Sequence, residues 1–150
     1  MPRAFTQNFY HMVFSTKRRM EFITPEIEVR LYAFMGGILR DLKCASLAIN
    51  GMPDHVHLLA RYPSDLSHAD MLRHVKSRSS KWVHETFQGS QAFAWQDGYG
   101  GFTVSKSKVG EVEAYIARQK EHHKEQDFRS EFLGLLRLHE VEFDEAEVFE

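Results

Sequence analysis

Two short β-like runs near the middle of the chain, separated by four turn-forming residues, constrain the fold more than any other feature. The first run, CASLAIN, covers 44–50, and the second, HVHLLARY, covers 55–62. Both lack proline and glycine, and Gly51-Met52-Pro53-Asp54 between them has the chemistry of a hairpin loop. The pattern predicts two neighbouring antiparallel strands.

Helix-like and strand-like segments flank this hairpin. Apolar residues recur at helical spacing over 25–43 and again over 67–87. The other predicted elements are a first strand over 8–16, a glycine-rich β-like run turning at Asp97-Gly98, and helices over about 109–124 and 129–138. This order predicts an α+β fold, the ferredoxin-like split βαβ arrangement, with an antiparallel sheet, helices on one face and a C-terminal helix carrying a tyrosine. The other face is expected to remain available for a ligand or partner.

Composition and charge are those of a globular protein with an acidic end. The chain has 150 residues, 43% hydrophobic and 27% charged, which predicts a single domain over 1–150. Its acidic tail, about 140–150, holds six acids and no base, so the rest of the chain has 19 bases against 15 acids and a net charge of +4. That charge is compatible with nucleic-acid binding. A single cysteine and no membrane-length apolar run predict a cytoplasmic location.

The two histidines of the HVH segment are the first candidate functional residues. Side chains at positions i and i+2 of a strand point to the same face, so His55 and His57 are expected to lie side by side, opposite Val56. A rigid strand could hold both imidazoles around one metal ion. The same spacing also occurs on solvated strand faces, so the pair alone does not distinguish a metal site from a polar surface.

A second candidate cluster lies on the helix predicted over 109–124. Tyr115 and Gln119 are four residues apart and His122 follows three later, so all three share one helical face. A phenol, with an ordinary pKa of about 10, is a weak nucleophile at neutral pH, and a divalent metal ion could make its attack on a phosphate effective. The amide oxygen of Gln119 could be a third metal ligand. Taken alone, a tyrosine and a glutamine on a helix are more commonly packing and surface residues.

The two clusters together resemble a known family. His55-Val56-His57 followed by Tyr115-x-x-x-Gln119 is similar to the active site of HUH single-tyrosine transposases, which include small insertion-sequence transposases and REP-associated tyrosine transposases. The resemblance covers nearly the whole chain. Segments similar to the family follow in the expected order: YHMVFSTKRR, NGMPDHVHLLA, SRSSKWVHE, WQDGYGGFTVS and YIARQKEHHKEQDFRSEF.

The resemblance implies a metal-dependent transposase that nicks single-stranded DNA beside a hairpin, such as an insertion-sequence end or a REP-like repeat. It implies that Tyr115 attacks the scissile phosphate to form a 5′-phosphotyrosine intermediate, and that strand transfer follows. It also implies that His55, His57 and Gln119 bind Mg²⁺ or Mn²⁺. A homodimer is implied as well, with the tyrosine acting either in its own subunit or in the partner.

Basic residues in two segments are candidates for contacts with DNA phosphates. Lys17 and Arg18, next to Arg19, follow the first strand. Four more lie among serines on the helix predicted over 67–87: Arg73, Lys76, Arg78 and Lys81. A solvated helix face would explain these four equally well. Three aromatic residues could stack on unpaired bases or belong to the core: Trp95, Tyr99 and Phe102.

Two other functions stay open from the residues. A zinc hydrolase could use His55, His57 and His122, although Tyr115 would then have no role. A ferredoxin-like nucleic-acid-binding module without catalysis is the second alternative. Two further histidines are of interest: His11, expected to be structural, and His123, which could assist or replace a ligand.

Overall fold

A computed structural model describes residues 4–149 and has a four-stranded sheet at its centre. The strands are β1 (Asn8–Ser15), β2 (Ala45–Met52), β3 (His55–Tyr62) and β4 (Gly100–Val104), in the spatial order β2-β3-β1-β4. Every neighbouring pair is antiparallel. β1 and β2 are therefore parallel to each other with β3 between them, which confirms the predicted split βαβ arrangement.

Helices connect and cover these strands. They are α1 (Pro25–Asp41), α2 (His68–Thr86), α3 (Val109–Ala117), α4 (Gln119–His122) and α5 (Phe128–Leu138), and short 3₁₀ turns cover Lys17–Arg19 and Lys106–Lys108. Within residues 4–149, no helix has the length and apolar character needed to cross a membrane.

The tyrosine-bearing segment differs from the continuous helix predicted over 109–124. Arg118 separates α3 from α4, because its φ of −96° and ψ of 16° lie outside helical geometry. The side-chain amide of Asn50, on β2, donates to the carbonyl oxygen of Ile116 at 2.9 Å and satisfies an acceptor at the end of α3. The tyrosine and the glutamine consequently lie on two different helices.

The crossover helices α1 and α2 cover one face of the sheet, as predicted. α2 begins after Ser67, whose side chain accepts a hydrogen bond from the backbone amide of Asp70. The apolar stripes of both helices pack on the β3 residues Val56, Leu58 and Ala60. The main core lies in this layer and includes Met12, Phe14, Leu31, Met35, Ile38, Leu39, Met71 and Val75.

The opposite face of the sheet is covered as well, in contrast to the expectation that it stays open. α3 packs Val109 and Ile116 against Leu59 of β3. α5 packs its apolar stripe against β1 and β4 through Phe128, Phe132, Leu133 and Leu136. The central strand β3 is therefore buried on both faces, and any polar side chain on it must find partners inside the protein.

The acidic C-terminal segment folds back on α5. The ring of Phe149 lies 6.2 Å from that of Phe128, centroid to centroid, and Glu145 pairs with Arg129 at 3.1 Å. Residues 1–3 and Glu150, which the single-domain prediction over 1–150 includes, lie outside the described residues.

The turn of the β2–β3 hairpin is held by close contacts. The backbone amide of Thr16 donates to the carbonyl oxygen of Asp54 at 2.9 Å. On the β2 side, a Cβ added to Gly51 would overlap the carbonyl oxygen of His55. Glycine is required at this position because the two backbones approach closely, and that approach fixes where the histidine strand begins.

Replacing this glycine is expected to destabilise the fold. Gly51→Ala should lower the free energy of unfolding by roughly 1–3 kcal/mol, because the added methyl group forces the strands apart. Gly134→Ala is a matched control, since Gly134 lies inside α5 with open space around it, and it should raise stability by about 0.5–1 kcal/mol. Urea denaturation measures both values. Equal stability of Gly51→Ala and the parent protein would contradict the close approach.

Candidate metal and nucleophile site

The two strand histidines point to the face of β3 that α3 and α5 cover. His55 and His57 are both 0% exposed. This excludes the interpretation that the pair decorates a solvated strand. Because buried imidazoles need hydrogen-bond partners, their contacts define the site.

Both ring nitrogens of His55 face acceptors. Nδ1 lies 2.7 Å from Oδ1 of Asp54 in the hairpin turn, and Nε2 lies 3.2 Å from Oε1 of Gln119. Burial alone would lower the pKa of His55, but hydrogen bonds to Asp54 and Glu131 outweigh burial and raise the pKa. Asp54 therefore fixes the orientation of the ring and leaves Nε2 directed into the site.

His57 is held by a second histidine. Its Nδ1 lies 2.8 Å from Nε2 of His11 on β1, and its own Nε2 lies 3.0 Å from Oε1 of Glu131. Burial lowers the pKa of His57 to about 4 and that of His11 to about 3, so both rings are neutral. His11 is thus a structural histidine, as expected, and its role is to orient His57.

Glu131 on α5 is the residue that the sequence analysis missed. Its carboxylate contacts the Nε2 atoms of His55 at 3.3 Å, His57 at 3.0 Å and His123 at 2.9 Å. Burial opposes ionisation of this carboxyl, yet hydrogen bonds from His55, His57 and Tyr115 hold its pKa well below the ordinary value. A signal was present in the sequence, because Glu131 lies on the apolar stripe of α5, where a charged residue is out of place.

Tyr115 and Gln119 reach the same carboxylate from α3 and α4. The phenol of Tyr115 donates to Oε2 of Glu131, and the amide nitrogen of Gln119 donates to the same oxygen at 2.9 Å. Burial, reinforced by the neighbouring carboxylate, raises the pKa of Tyr115 above its ordinary value. Tyr115 is half-buried and therefore partly accessible, whereas Gln119 is fully buried.

The donor atoms fit a divalent cation. His55, His57 and Glu131 each offer one ligand atom, and these atoms lie within 4.8 Å of one another. The carbonyl oxygen of Gln119 adjoins them at His55. Imidazole nitrogens suit Zn²⁺ and other transition metals, whereas carboxylate and amide oxygens suit Mg²⁺ and Mn²⁺, so this mixed set fits a divalent cation.

The two histidines on and after α4 differ in how closely they contact Glu131. His123 contacts Glu131 directly, whereas Nε2 of His122 lies 3.6 Å from the carboxylate and its side chain is 34% exposed. The zinc-hydrolase alternative relied on His122 as the third ligand. The third member of the buried cluster is instead Glu131.

Lys17 and Arg18 lie near this site. Both are exposed in the 3₁₀ turn after β1, and Ser15 at the end of β1 pairs with His55. Among the aromatic candidates for base stacking, Tyr99 is 44% exposed, while Trp95 and Phe102 are buried in the core.

The four basic residues of α2 lie across the sheet from the histidines. Three are exposed and form ion pairs with acidic neighbours: Arg73 with Asp70, Arg78 with Asp41, and Lys81 with Glu85. Lys76 differs, because its ammonium donates to the carbonyl oxygens of Gln96 at 2.8 Å and Gly98 at 2.7 Å. Burial lowers the pKa of Lys76 to about 8, and the residue anchors the loop that leads to β4.

The pKa shifts predict opposite charge states for neighbouring rings. At about pH 5.5, below the ordinary histidine pKa of about 6.5, His55 should be cationic while His57 and His11 stay neutral. As the pH falls from about 6.5 towards 4, the unfolded chain binds protons at these two residues before the folded protein does, so the free energy of unfolding decreases. His55 has the opposite effect on the free energy of unfolding. Its pKa is raised in the folded protein, so the stabilisation that it contributes at low pH is lost as the pH rises through that pKa.

Imidazole ¹⁵N chemical shifts, followed against pH in the metal-free protein, measure each ring separately. A cationic His57 at about pH 5.5 would contradict this assignment.

Sequence comparisons relate the chain to transposases. Residues 4–119 match the family described as "Transposase IS200 like". The transposases of insertion sequence element IS200 from Salmonella typhimurium and Salmonella typhi are each 30% identical to this chain over 125 residues. The alignment covers 77% of this chain and 78% of each relative.

Solved structures share the fold. A Deinococcus radiodurans protein assigned provisionally as a transposase superposes with a TM-score of 0.64 at 22% identity, covering 79% of this chain and 95% of that one. A REP-associated tyrosine transposase bound to a REP hairpin superposes with a TM-score of 0.59 at 16% identity, covering 82% and 73%. At these identities the similarity concerns the fold.

Proposed function

The chain belongs to the IS200-like transposase family, and on this premise we propose that it nicks and rejoins single-stranded DNA beside a hairpin, with Tyr115 as the nucleophile. One observation carries the proposal. The phenol of Tyr115 and the buried rings of His55 and His57, all from the same chain, contact the single carboxylate of Glu131. Nucleophile and candidate metal ligands are therefore within reach of one phosphate group.

In the proposed step, the phenol oxygen of Tyr115 attacks the scissile phosphorus. A bond from phosphorus to the tyrosine oxygen forms while the bond to the 3′ oxygen breaks, and the 3′ oxygen takes up a proton as the phenol loses one. The products are a 5′-phosphotyrosine link and a free 3′-hydroxyl. Because the phosphodiester is exchanged and not hydrolysed, the 3′-hydroxyl of another strand can reverse the step and complete strand transfer.

We propose His55, His57 and Gln119 as protein ligands for Mg²⁺ or Mn²⁺. When bound, the ion polarises a phosphate oxygen and stabilises the charge that develops during attack. The protein orients its ligands through second contacts, from Asp54 to His55 and from His11 to His57. The raised pKa of Tyr115 keeps the phenol protonated in the free protein, so the nucleophile is held but not yet activated.

An open cleft beside Tyr115 offers a DNA strand access to the nucleophile. Its volume is about 540 Å³, and Arg118 supplies a positive charge on its wall. The remaining lining residues are Glu111, Ala114, Glu121, His122 and Glu125. The phenol and one guanidinium group are accessible from this cleft, whereas three glutamates against one arginine give its wall a net negative charge.

The proposed DNA partner is a single strand with a hairpin, as at an insertion-sequence end or a REP-like repeat. This is supported by the relatives named for IS200 and by the fold relative bound to a REP hairpin. Arg18, with Arg19 and Tyr99, lines a groove of about 320 Å³ near the site. Lys17 and Arg18 are proposed to contact the strand there, while the exposed Arg73, Arg78 and Lys81 would contact phosphates on the α2 side. Lys76 is not proposed as a phosphate contact, because its ammonium is already held by the carbonyl oxygens of Gln96 and Gly98.

The homodimer stays a prediction that rests on the resemblance. Tyr115 contacts residues that surround the histidines of its own chain. On this contact we propose that Tyr115 acts within its own subunit, with the tyrosine of a second subunit as the alternative in a dimer.

A covalent adduct tests the proposed function. Single-stranded hairpin oligonucleotides with randomised flanks are incubated with the protein and Mn²⁺ or Mg²⁺, then separated on a denaturing gel. The proposed polarity predicts that a 3′ label enters the protein adduct, whereas a 5′ label appears on a shorter free strand ending in a 3′-hydroxyl. EDTA should abolish both products.

Two tyrosine variants supply the control. Tyr115→Phe should remove the adduct, whereas Tyr32→Phe, at a tyrosine of α1 on the opposite face of the sheet from the site, should retain it. An adduct that survives Tyr115→Phe would refute the assigned nucleophile. Metal-dependent cleavage without an adduct would favour a hydrolase, and binding without cleavage would favour a non-catalytic module.

Salt dependence of binding tests the proposed DNA-contact residues. Arg18→Ala and Lys81→Ala should each weaken hairpin binding and reduce the slope of log affinity against log salt by about 0.7–0.9 for each lost phosphate contact. Arg61→Ala is the control, since Arg61 is exposed at the end of β3 away from His55. Fluorescence anisotropy measures the slopes. An unchanged slope for Lys81→Ala would remove that α2 contact from the interface.

A further inference from the structure

Glu131 is an unusual buried residue because its charge has no permanent cation beside it. Its side chain is 1% exposed, and its ion-pair partners in the described part of the chain are four histidines: His55, His57, His122 and His123. An isolated buried carboxylate is costly unless it is paired or coordinates a metal. The surroundings of Glu131 are therefore suited to receiving a cation.

The distances around Glu131 match those between ligands of one ion. Its Oε1 lies 3.3 Å from Nε2 of His55 and 3.0 Å from Nε2 of His57. Two ligands on an octahedral ion with bonds of about 2.1 Å are separated by about 3.0 Å along each edge. The carbonyl oxygen of Gln119, at 3.2 Å from the same atom of His55, fits the same spacing.

Packing holds this carboxylate in place. α5 begins at the N-cap Asp127, whose side chain accepts from the backbone amide of Ser130 at 2.8 Å. Phe128 in the first turn stacks on the ring of His55, with centroids 4.3 Å apart. These contacts tie the helix to the histidine strand, so Glu131 is a pre-positioned group.

We propose that Glu131 is a fourth protein ligand of the metal ion and that its second oxygen positions the nucleophile. This deepens the proposed function and rests on it, since the ion is the one assigned to His55, His57 and Gln119. Oε1 faces the histidines, while Oε2 accepts the hydrogen bonds of Tyr115 and Gln119. One carboxylate thus connects the ion to the phenol and fixes the nucleophile relative to the metal.

Metal affinity gives a test that does not depend on activity. Mn²⁺ binding to the whole protein is measured by isothermal titration calorimetry and by Mn²⁺ electron paramagnetic resonance. Glu131→Gln should weaken binding at least tenfold, because a charged ligand is lost from a set of otherwise neutral donors. If the carboxylate merely occupied the position that the ion must take, the same variant would bind Mn²⁺ equally well or more tightly, and the proposal would be overturned.

Matched variants keep the outcome interpretable. Glu26→Gln removes a charge from an exposed residue in the first turn of α1, away from the site, and should leave Mn²⁺ affinity unchanged. Glu131→Asp retains the charge on a shorter side chain and should fold and bind with intermediate affinity, which covers the case in which Glu131→Gln does not fold. Circular dichroism verifies folding of each variant. Full affinity in Glu131→Asp together with full affinity in Glu131→Gln would overturn the assignment.

The failure of this inference can be distinguished from failure of the proposed function. His57→Ala should abolish Mn²⁺ binding if the proposed metal site is correct, whatever the role of Glu131. Loss in His57→Ala with full binding in Glu131→Gln would overturn only the fourth ligand. Unchanged binding in His57→Ala would overturn the metal site itself, and Glu131 with it.

Discussion

The burial of two imidazoles on the central strand is the constraint on which the rest of the site depends. His55 and His57 lie on a strand covered on both faces, so no bulk water reaches them. Each ring nitrogen must then be matched by a group of the protein, because an unpaired buried polar group costs roughly 1–3 kcal/mol. The helices packed on that face supply part of these groups. The same contacts bring the phenol of Tyr115 and the candidate metal ligands together.

The hydrogen-bond partners of His55 and His57 come from segments far apart in the chain. Asp54 in the hairpin turn and His11 on β1 hold the outer nitrogens, while Gln119 and Glu131 face the inner ones. The outer contacts orient the rings and the inner contacts define a space for a cation, a division common in metal sites. The proposed function fits this arrangement, since DNA strand transfer through a tyrosine needs the nucleophile and a group that activates the phosphate in one place.

The sequence predicted the sheet, the two crossover helices and the placement of His55 and His57 on one strand face, because each depends on local periodicity and turn chemistry. Glu131 escaped prediction since its importance depends on where α5 packs, and that placement is a tertiary property. The break at Arg118 escaped for the same reason, because an amide of distant β2 satisfies the end of α3. The sequence also did not predict that the second sheet face is covered, because this depends on how α3 and α5 pack back on the sheet.

The alternation of side chains along HVHLLARY links the register of β3 to both the core and the site. Val56 and Leu58 belong to the main core, and His55 and His57 to the site, so the two sets exchange faces if the strand slips by one residue. Such a slip would place both imidazoles in the apolar core without hydrogen-bond partners. It would also place aliphatic side chains against the polar groups that now contact the histidines. A chain in the wrong register would therefore lose its core and the proposed metal site together, because one strand register forms both.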